Sequence, residues 1–395
     1  MLIIRIVKAM RRALIQVYTV FLWMLDSLFL FFKKEIRNKP PLVLLIRLDN
    51  IGDFILWISS IKGIRKRYAD HDLILLANKN FAELAKDIGY FSRVISIDTR
   101  KFAYNPVYRW KVLAKTASLN VKVAINPSYS RNFLIGDSLM RASVANTRVG
   151  SKGDLSNITV WQKEISDQWY THLIFASNKP LMELERDAEF LSGLGVNSKV
   201  IHTPQLPILT KLTGELSINE EYFIVFPGAS WAGRKWPLKS FAKVGREISQ
   251  CYRYKMVVCG TQSECQDAEL IIDKSLVNEG VNLAGKTTLS QFCELVRGAK
   301  LLIGNETSAV HIAAATNTPS ICLLGGGHFG RFMPYSGKVR GVKPVAIFSK
   351  MDCYGCNWKC IQPHRNSKAM PCISDIKVND VLREIDMLFI NSKIS

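Results

Sequence analysis

"LVLLIRLDNIGDFILW", Leu42–Trp57, joins two apolar runs through a polar loop that holds Asp49, Asn50, Gly52 and Asp53. Leu42–Leu48 reads as a strand, an apolar run that ends in Arg47, and Phe54–Tyr68 reads as a helix. Gly52 lets the backbone turn sharply or a ligand approach it closely. Asp53 then stands at a helix N-terminus. There it serves either as a cap, which local sequence favours, or as a general base.

Working outward, the same grammar repeats. Leu73–Ala77, Val94–Ile97 and Val121–Ile125 read as strands, with helices at Phe81–Ile88, Pro106–Ser118 and Pro180–Leu194. Such alternation predicts a parallel sheet covered on both faces. The stretch around Pro204 and Pro207 loses periodicity, so a linker is placed at 201–220. Strands then resume at Tyr222–Phe226, Lys255–Cys259, Val281–Leu283, Leu301–Ile303 and Ser320–Leu324. Helices are expected at Leu238–Gln250, Ser263–Lys274, Leu289–Arg297 and Ser308–Thr316. The expected fold is α/β: two Rossmann-like doubly wound domains, 41–200 and 221–395, preceded by an amphipathic helix within 1–40. A cleft is expected between the domains, lined by strand C-terminal ends and helix N-termini.

The chain has 395 residues, and Lys plus Arg outnumber Asp plus Glu by 53 to 33, a formal net charge of +20. This charge implies an anionic partner. Nucleic acid is set aside, because the aromatics do not interleave with the basic residues in any recognisable module.

In the first forty residues the polar positions Arg5, Lys8, Arg12, Gln16, Thr19, Asp26, Lys33 and Arg37 are spaced by threes, fours and sevens. They share one arc of a helix about 100° wide. A signal peptide is discarded because Phe-Phe-Lys-Lys follows the apolar run where small residues would mark a cleavage site. Asp26 weighs against a membrane span. The expectation is a helix in the plane of an anionic membrane surface, its basic residues facing lipid phosphates. The other reading packs this face on the protein's own body or on a second chain.

Three loops carry chemistry. "VFPGASWAGRKWPLKSF" leaves a strand through Pro227, Gly228 and Ala229, and brings Ser230, Arg234 and Lys235 beside that turn. Small residues expose backbone N–H groups and cations balance charge, which suits a diphosphate. "LLIGNETSAVHIAAATNTPSICLLGGG" opens a helix with Asn305, Glu306, Thr307 and Ser308, where unpaired N–H groups attract anions. His311 lies on the first turns of that helix, either as a ligand group or as a core histidine. Gly325-Gly326-Gly327 again permits close backbone approach.

These segments resemble the family-9 glycosyltransferases, the heptosyltransferase family with the GT-B fold. "IRLDNIGDFILWISSIKGIRKRY", "FPGASWAGRKWPLKSFAKV" and "LIGNETSAVHIAAATNTPSICLLGGG" carry the likeness, with weaker echoes in "VKVAINPSYSRNFLIGDSLMRASVANTRVG" and "ERDAEFLSGLG". The likeness runs from about residue 42 to the C-terminus and leaves the N-terminal helix outside. It implies a nucleotide-diphosphate sugar co-substrate, with an ADP-sugar favoured, and no metal or other cofactor. It also implies inversion at the anomeric carbon, and a glycolipid or lipopolysaccharide acceptor at the cytoplasmic face of a bacterial inner membrane. It makes Asp53 the catalytic base and Arg234 or Lys235, with Ser230, the phosphate-binding group. Glu306, Thr307, Ser308 and His311 would hold sugar and phosphate, and Gln262 or Glu264 would contact the nucleoside. Asn50, Gly52, Gly326, His328 and Arg331 complete the expected contacts. The family commonly has Asp where Glu306 stands and Gly where Ser308 stands, and "GGGHFGRF" also departs from its usual turn. The extra methylene of Glu306 would move its carboxylate towards the sugar and bears on which sugar is carried.

Nine cysteines occur, and Cys353, Cys356, Cys360 and Cys372 cluster with C-x2-C-x3-C-x11-C spacing. Only the first pair fits a zinc site, so this segment is read as structural, with zinc as the other possibility. Two rival functions remain: a GT-B-type sugar-nucleotide epimerase, which would need no acceptor, and a non-catalytic nucleotide-sugar-binding scaffold of an envelope assembly complex.

Overall fold

The computed structural model describes residues 2–31, 40–277, 280–362 and 369–394, with backbone only at 2–6, 8, 12, 31 and 391–394. It divides into two compact units. The first comprises Met1–Asn50, Gly63–Ser177 and Glu189–Asn197, and the second Ile51–Lys62, Asn178–Ala188 and Ser198–Ser395. The units are therefore interleaved in sequence. The turn carrying Asp53 belongs with the second unit, whereas a single boundary near residue 200 would assign it to the first.

The first unit holds β1 (Leu42–Arg47), β2 (Asp72–Asn78), β3 (Arg93–Ile97), β4 (Val123–Asn126), β5 (Thr147–Ser151) and β6 (His172–Ile174). They form one sheet in the order β3-β2-β1-β4-β5-β6, every pair parallel. This is the doubly wound order, with the reversal between β1 and β4. Leu44, Ile46, Ile74, Leu76, Phe102, Leu113, Leu139 and Met140 are buried together in its core.

The N-terminal helix α1 (Leu2–Phe31) packs on this unit, and here the membrane-facing expectation needs correction. Thr19 and Asp26, on the polar arc, are buried against the body. Asp26 accepts from Arg109 of the helix Pro106–Ser118, with Nε to Oδ1 at 2.8 Å. Arg109 also donates to Ser138 Oγ (2.8 Å) and to the Leu134 carbonyl (2.7 Å). The Ser27 hydroxyl accepts from Arg141 at 2.9 Å. The physical reason is desolvation: a carboxylate is tolerated in a greasy helix when a guanidinium meets it. The outward stripe is apolar, comprising Val7, Met10, Leu14, Val17, Phe21, Met24 and Leu28, spaced by threes and fours. Lys33 and Arg37 lie outside the described residues, as do the side chains of Arg5, Lys8 and Arg12.

In the second unit, β7 is Ile201–His202, β8 Tyr222–Phe226, β9 Lys255–Val258, β10 Val281–Asn282, β11 Leu301–Asn305, β12 Ser320–Leu323, β13 Val339–Arg340 and β14 Val345–Ile347. The sheet order is β10-β9-β8-β11-β12-β14, again all parallel and again doubly wound. Phe223, Val225, Trp236, Phe241, Ile303, Ile321 and Leu323 are buried at its centre. The segment placed as a linker, 201–220, begins with the short strand β7, which pairs in parallel with β13. A second helix of interest, α2 (Ile51–Arg67), begins directly after the β1 loop.

Candidate active site

Because α2 starts at Ile51, Asp53 is the third helical residue and not the residue that caps the helix. Its carboxylate lies in the first turn, where the helix dipole favours negative charge. The exposed Asn50 precedes the helix. Gly52 faces the helix Ser308–Ala315: a Cβ placed there would lie 3.4 Å from the His311 ring and 3.8 Å from Ser308 Cα. These are ordinary van der Waals distances, so Gly52 marks where the helix carrying Asp53 meets the helix that opens at Thr307 without the spacing itself demanding a glycine.

At that second helix, Thr307 is the N-cap, its Oγ1 accepting from Ala309 N at 3.4 Å, and Ser308 is the first helical residue. His311 is buried and shares a 2.9 Å hydrogen bond with Tyr335 OH. Burial lowers its pKa to about 4, so the ring is neutral at pH 7.

Arg234 and Glu306 form the polar centre. Arg234 Nη2 donates to the Glu306 carbonyl at 2.6 Å and to its Oε2 at 3.3 Å, and Nη1 reaches Ser230 Oγ at 3.3 Å. Burial pushes the Glu306 carboxyl up to about 7, while Arg234 pulls it down. Its Oε1 is buried with no hydrogen-bond partner among the described residues. Just before it in the chain, Asn305 donates to the Pro227 carbonyl (2.8 Å) and accepts from Trp236 N (3.0 Å). That side chain staples the Pro-Gly turn after β8 to the end of β11.

Lys235 is placed differently. Its Nζ lies 3.4 Å from Glu264 and 3.1 Å from Asp267. Glu264 is buried and closes a capping box with Thr261, accepting from Thr261 N at 2.9 Å. Gln262 is exposed and covers Gly285, which has φ +75°.

The glycine run is where the structure departs most from expectation. Gly325, Gly326 and Gly327 are buried, and what approaches them is the cysteine-rich segment. A Cβ at Gly325 would lie 2.6 Å from Trp358, one at Gly327 would overlap that indole, and one at Gly326 would overlap Tyr354. Small residues here admit aromatic rings.

His328 follows, its Nε2 2.6 Å from Asn357 Oδ1. Burial lowers its pKa, Arg331 and Arg234 push the same way, and Asn357 and Asp53 oppose them. Arg331 also lies 3.8 Å from Glu183.

Cys360 and Cys372 join the hydrophobic core of this unit. All nine cysteines are free thiols, and burial raises the pKa of Cys372. Among the described residues no three His, Cys, Asp or Glu side chains are gathered to hold a metal ion. Trp231, Asn357 and Trp358 have no role in the sequence reading, and Asn305, expected to open the helix, instead ends β11 and staples the turn after β8. The one signal for Trp358 was its position inside the cysteine cluster.

Two parallel doubly wound units and an α/β helix N-terminus set against an Arg–Glu centre define a chain of the GT-B class. Residues 186–356 match the model of "Glycosyltransferase family 9 (heptosyltransferase)". It is 26% identical over 129 residues to lipopolysaccharide heptosyltransferase 2 of Escherichia coli (strain K12), covering 32% of this chain and 37% of that protein. The match thus spans little more than a third of that relative's length. It is 24% identical over 290 residues to lipopolysaccharide heptosyltransferase 3 of Escherichia coli, covering 69% of this chain and 80% of the other. Among solved structures, the E. coli ADP-heptose lps heptosyltransferase II superposes with a TM-score of 0.62 at 19% identity, over 89% of this chain and 99% of that one.

Proposed function

We propose that this chain is an inverting glycosyltransferase that moves a sugar, heptose or a related one, from an ADP-sugar to a lipopolysaccharide or other envelope glycan. The observation that carries the reading is the Arg234–Glu306 centre, with Ser230 beside it, at the N-terminus of the helix that opens at Thr307. The family match and the heptosyltransferase relatives support the donor class.

In this reading Asp53 takes the proton of an acceptor hydroxyl as its oxygen bonds to the anomeric carbon. The bond from that carbon to the diphosphate oxygen breaks, and the nucleoside diphosphate leaves with its electron pair. Arg234 and the N–H groups at the Thr307 helix N-terminus hold the charge that develops. The His311–Tyr335 hydrogen bond fixes the helix that Gly52 meets. The intact carboxylate and cation set favours catalysis over a scaffold role, and the α1 surface favours a membrane-borne acceptor over an epimerase.

The apolar stripe of α1 is the surface we assign to the membrane, with the chain docked peripherally at the cytoplasmic face. Aliphatic side chains would enter the acyl boundary, and the +20 net charge would draw the protein to anionic headgroups. Incubation of the chain with ADP-heptose and a panel of truncated lipopolysaccharides, with sugar transfer read by mass spectrometry, tests the reaction. Absence of transfer and of donor turnover would remove the enzyme assignment.

A further inference from the structure

The cysteine-rich segment has no role in the chemistry above, yet it delivers the Trp358 indole to the Arg–Glu centre. We infer that Trp358 is the positioning residue for Arg234: its indole is the floor on which the guanidinium lies while it receives the donor diphosphate. This rests on the donor-site reading given above.

The Arg234 guanidinium carbon sits 4.8 Å from the Trp358 ring centroid. A cation over an aromatic face is attracted by the ring quadrupole, and a planar guanidinium is held flat by it. The indole is itself held on other sides. Trp231 meets it edge-on at 6.0 Å and 89°, and His328 at 6.2 Å and 82°. Gly325 and Gly327 leave it room. The backbone is shaped for this delivery. Gly355 N donates to the Gly326 carbonyl at 2.8 Å and Asn357 N to the Gly327 carbonyl at 2.9 Å. Asn357 and Trp358 both have left-handed backbones, φ +49° and +57°. Asn tolerates that region, whereas a bulky aromatic residue adopts it only when its surroundings hold it there.

The arrangement also explains why Glu306 does not simply neutralise Arg234. Glu306 engages Nη2 alone, Ser230 Oγ lies 3.3 Å from Nη1, and Trp358 takes a face. Trp358 Nε1 is buried without a hydrogen-bond partner among the described residues, so the ring contributes here through its face.

The test is isothermal titration of ADP into the full chain, with W358L, W358F, R234A and R234A/W358L compared to wild type. W358L should bind ADP about tenfold more weakly, which is about 1.4 kcal/mol. W358F should recover most of the loss, and the double variant should bind no more weakly than R234A. Equal affinity of W358L and wild type, or an undiminished W358L effect in the R234A background, overturns the inference while leaving the donor site intact. Failure of wild type to bind ADP, or wild-type affinity in R234A, overturns the donor-site reading and the inference with it. Should W358L not fold, site-specific fluorinated tryptophans at 358 keep the shape and weaken the ring's negative face. ADP affinity then falls with each added fluorine, and a flat series overturns the inference.

Discussion

Arg234 holds Glu306 twice, through the backbone carbonyl at 2.6 Å and through the carboxylate at 3.3 Å, and the second oxygen of that carboxylate is buried without a hydrogen-bond partner among the described residues. Burial sets the Glu306 pKa at about 7, above its usual value of 4.5. The folded state therefore binds a proton more tightly than the unfolded state does. That contribution to stability is full below about pH 4.5 and is lost as pH rises through about 7. His311, lowered to about 4, has the opposite sign, contributing stability above about 6.5 that is lost as pH falls through about 4. Comparison with Glu306→Gln cancels the histidine. Between pH 4.5 and 8 wild type should lose on the order of 3 kcal/mol relative to the variant in urea unfolding. Parallel pH profiles would contradict a buried, proton-sharing Glu306.

Arg234 and Lys235 are neighbours with different duties. Lys235 is engaged by Glu264 and Asp267. Lys235→Ala should leave ADP affinity within about threefold of wild type, and Arg234→Ala should lose about tenfold or more, since charge-assisted contacts to phosphate are the strong ones. Calorimetry on both variants checks this, and the reverse ranking would move the phosphate contact to Lys235.

Asp26 and Arg109 tie α1 to the first unit, with side chains 4% and 0% exposed. Asp26→Ala strands a buried guanidinium and should cost about 3–5 kcal/mol. Replacing both by leucine should restore most of the loss. Urea unfolding reads both variants, and a single-variant loss below about 1 kcal/mol would place the pair at a solvated surface.

The apolar stripe of α1 gives a binding prediction. Leu14→Glu with Phe21→Glu should reduce sedimentation with phosphatidylglycerol vesicles about tenfold or more, since each buried apolar side chain is worth about 1.5–3 kcal/mol. Unchanged sedimentation would assign the stripe to some other partner.

Much of this fold is written in local pattern. β1, β2, β8 and β9 are runs of Leu, Ile and Val or aromatic residues, and the helix Pro106–Ser118 begins at a proline that fixes its first turn. β5 and β6 were missed because Thr-Arg-Val-Gly-Ser and His-Leu-Ile carry too few apolar residues to stand out. They become strands by pairing beside β4. The direction of the α1 polar arc was misread for a related reason. Periodicity places Asp26 on a face, but only the fold brings Arg109 to it across 83 positions of sequence. The glycine run shows the same limit, since its neighbour Trp358 lies some thirty residues further on. The placement of Asp53, Arg234 and Glu306 after strand ends follows from local pattern, because apolar runs that break into Gly-bearing polar loops mark strand-to-helix turns, whereas the roles expected of them come from the family resemblance.

The chemistry hangs on Asp53. The most direct measurement pairs sugar transfer with ADP-sugar binding in Asp53→Asn, which keeps size and removes the base. The expected result is loss of transfer by a factor of about 100 or more, the usual contribution of a positioned base, with donor affinity unchanged. Near-normal turnover in Asp53→Asn would contradict the account.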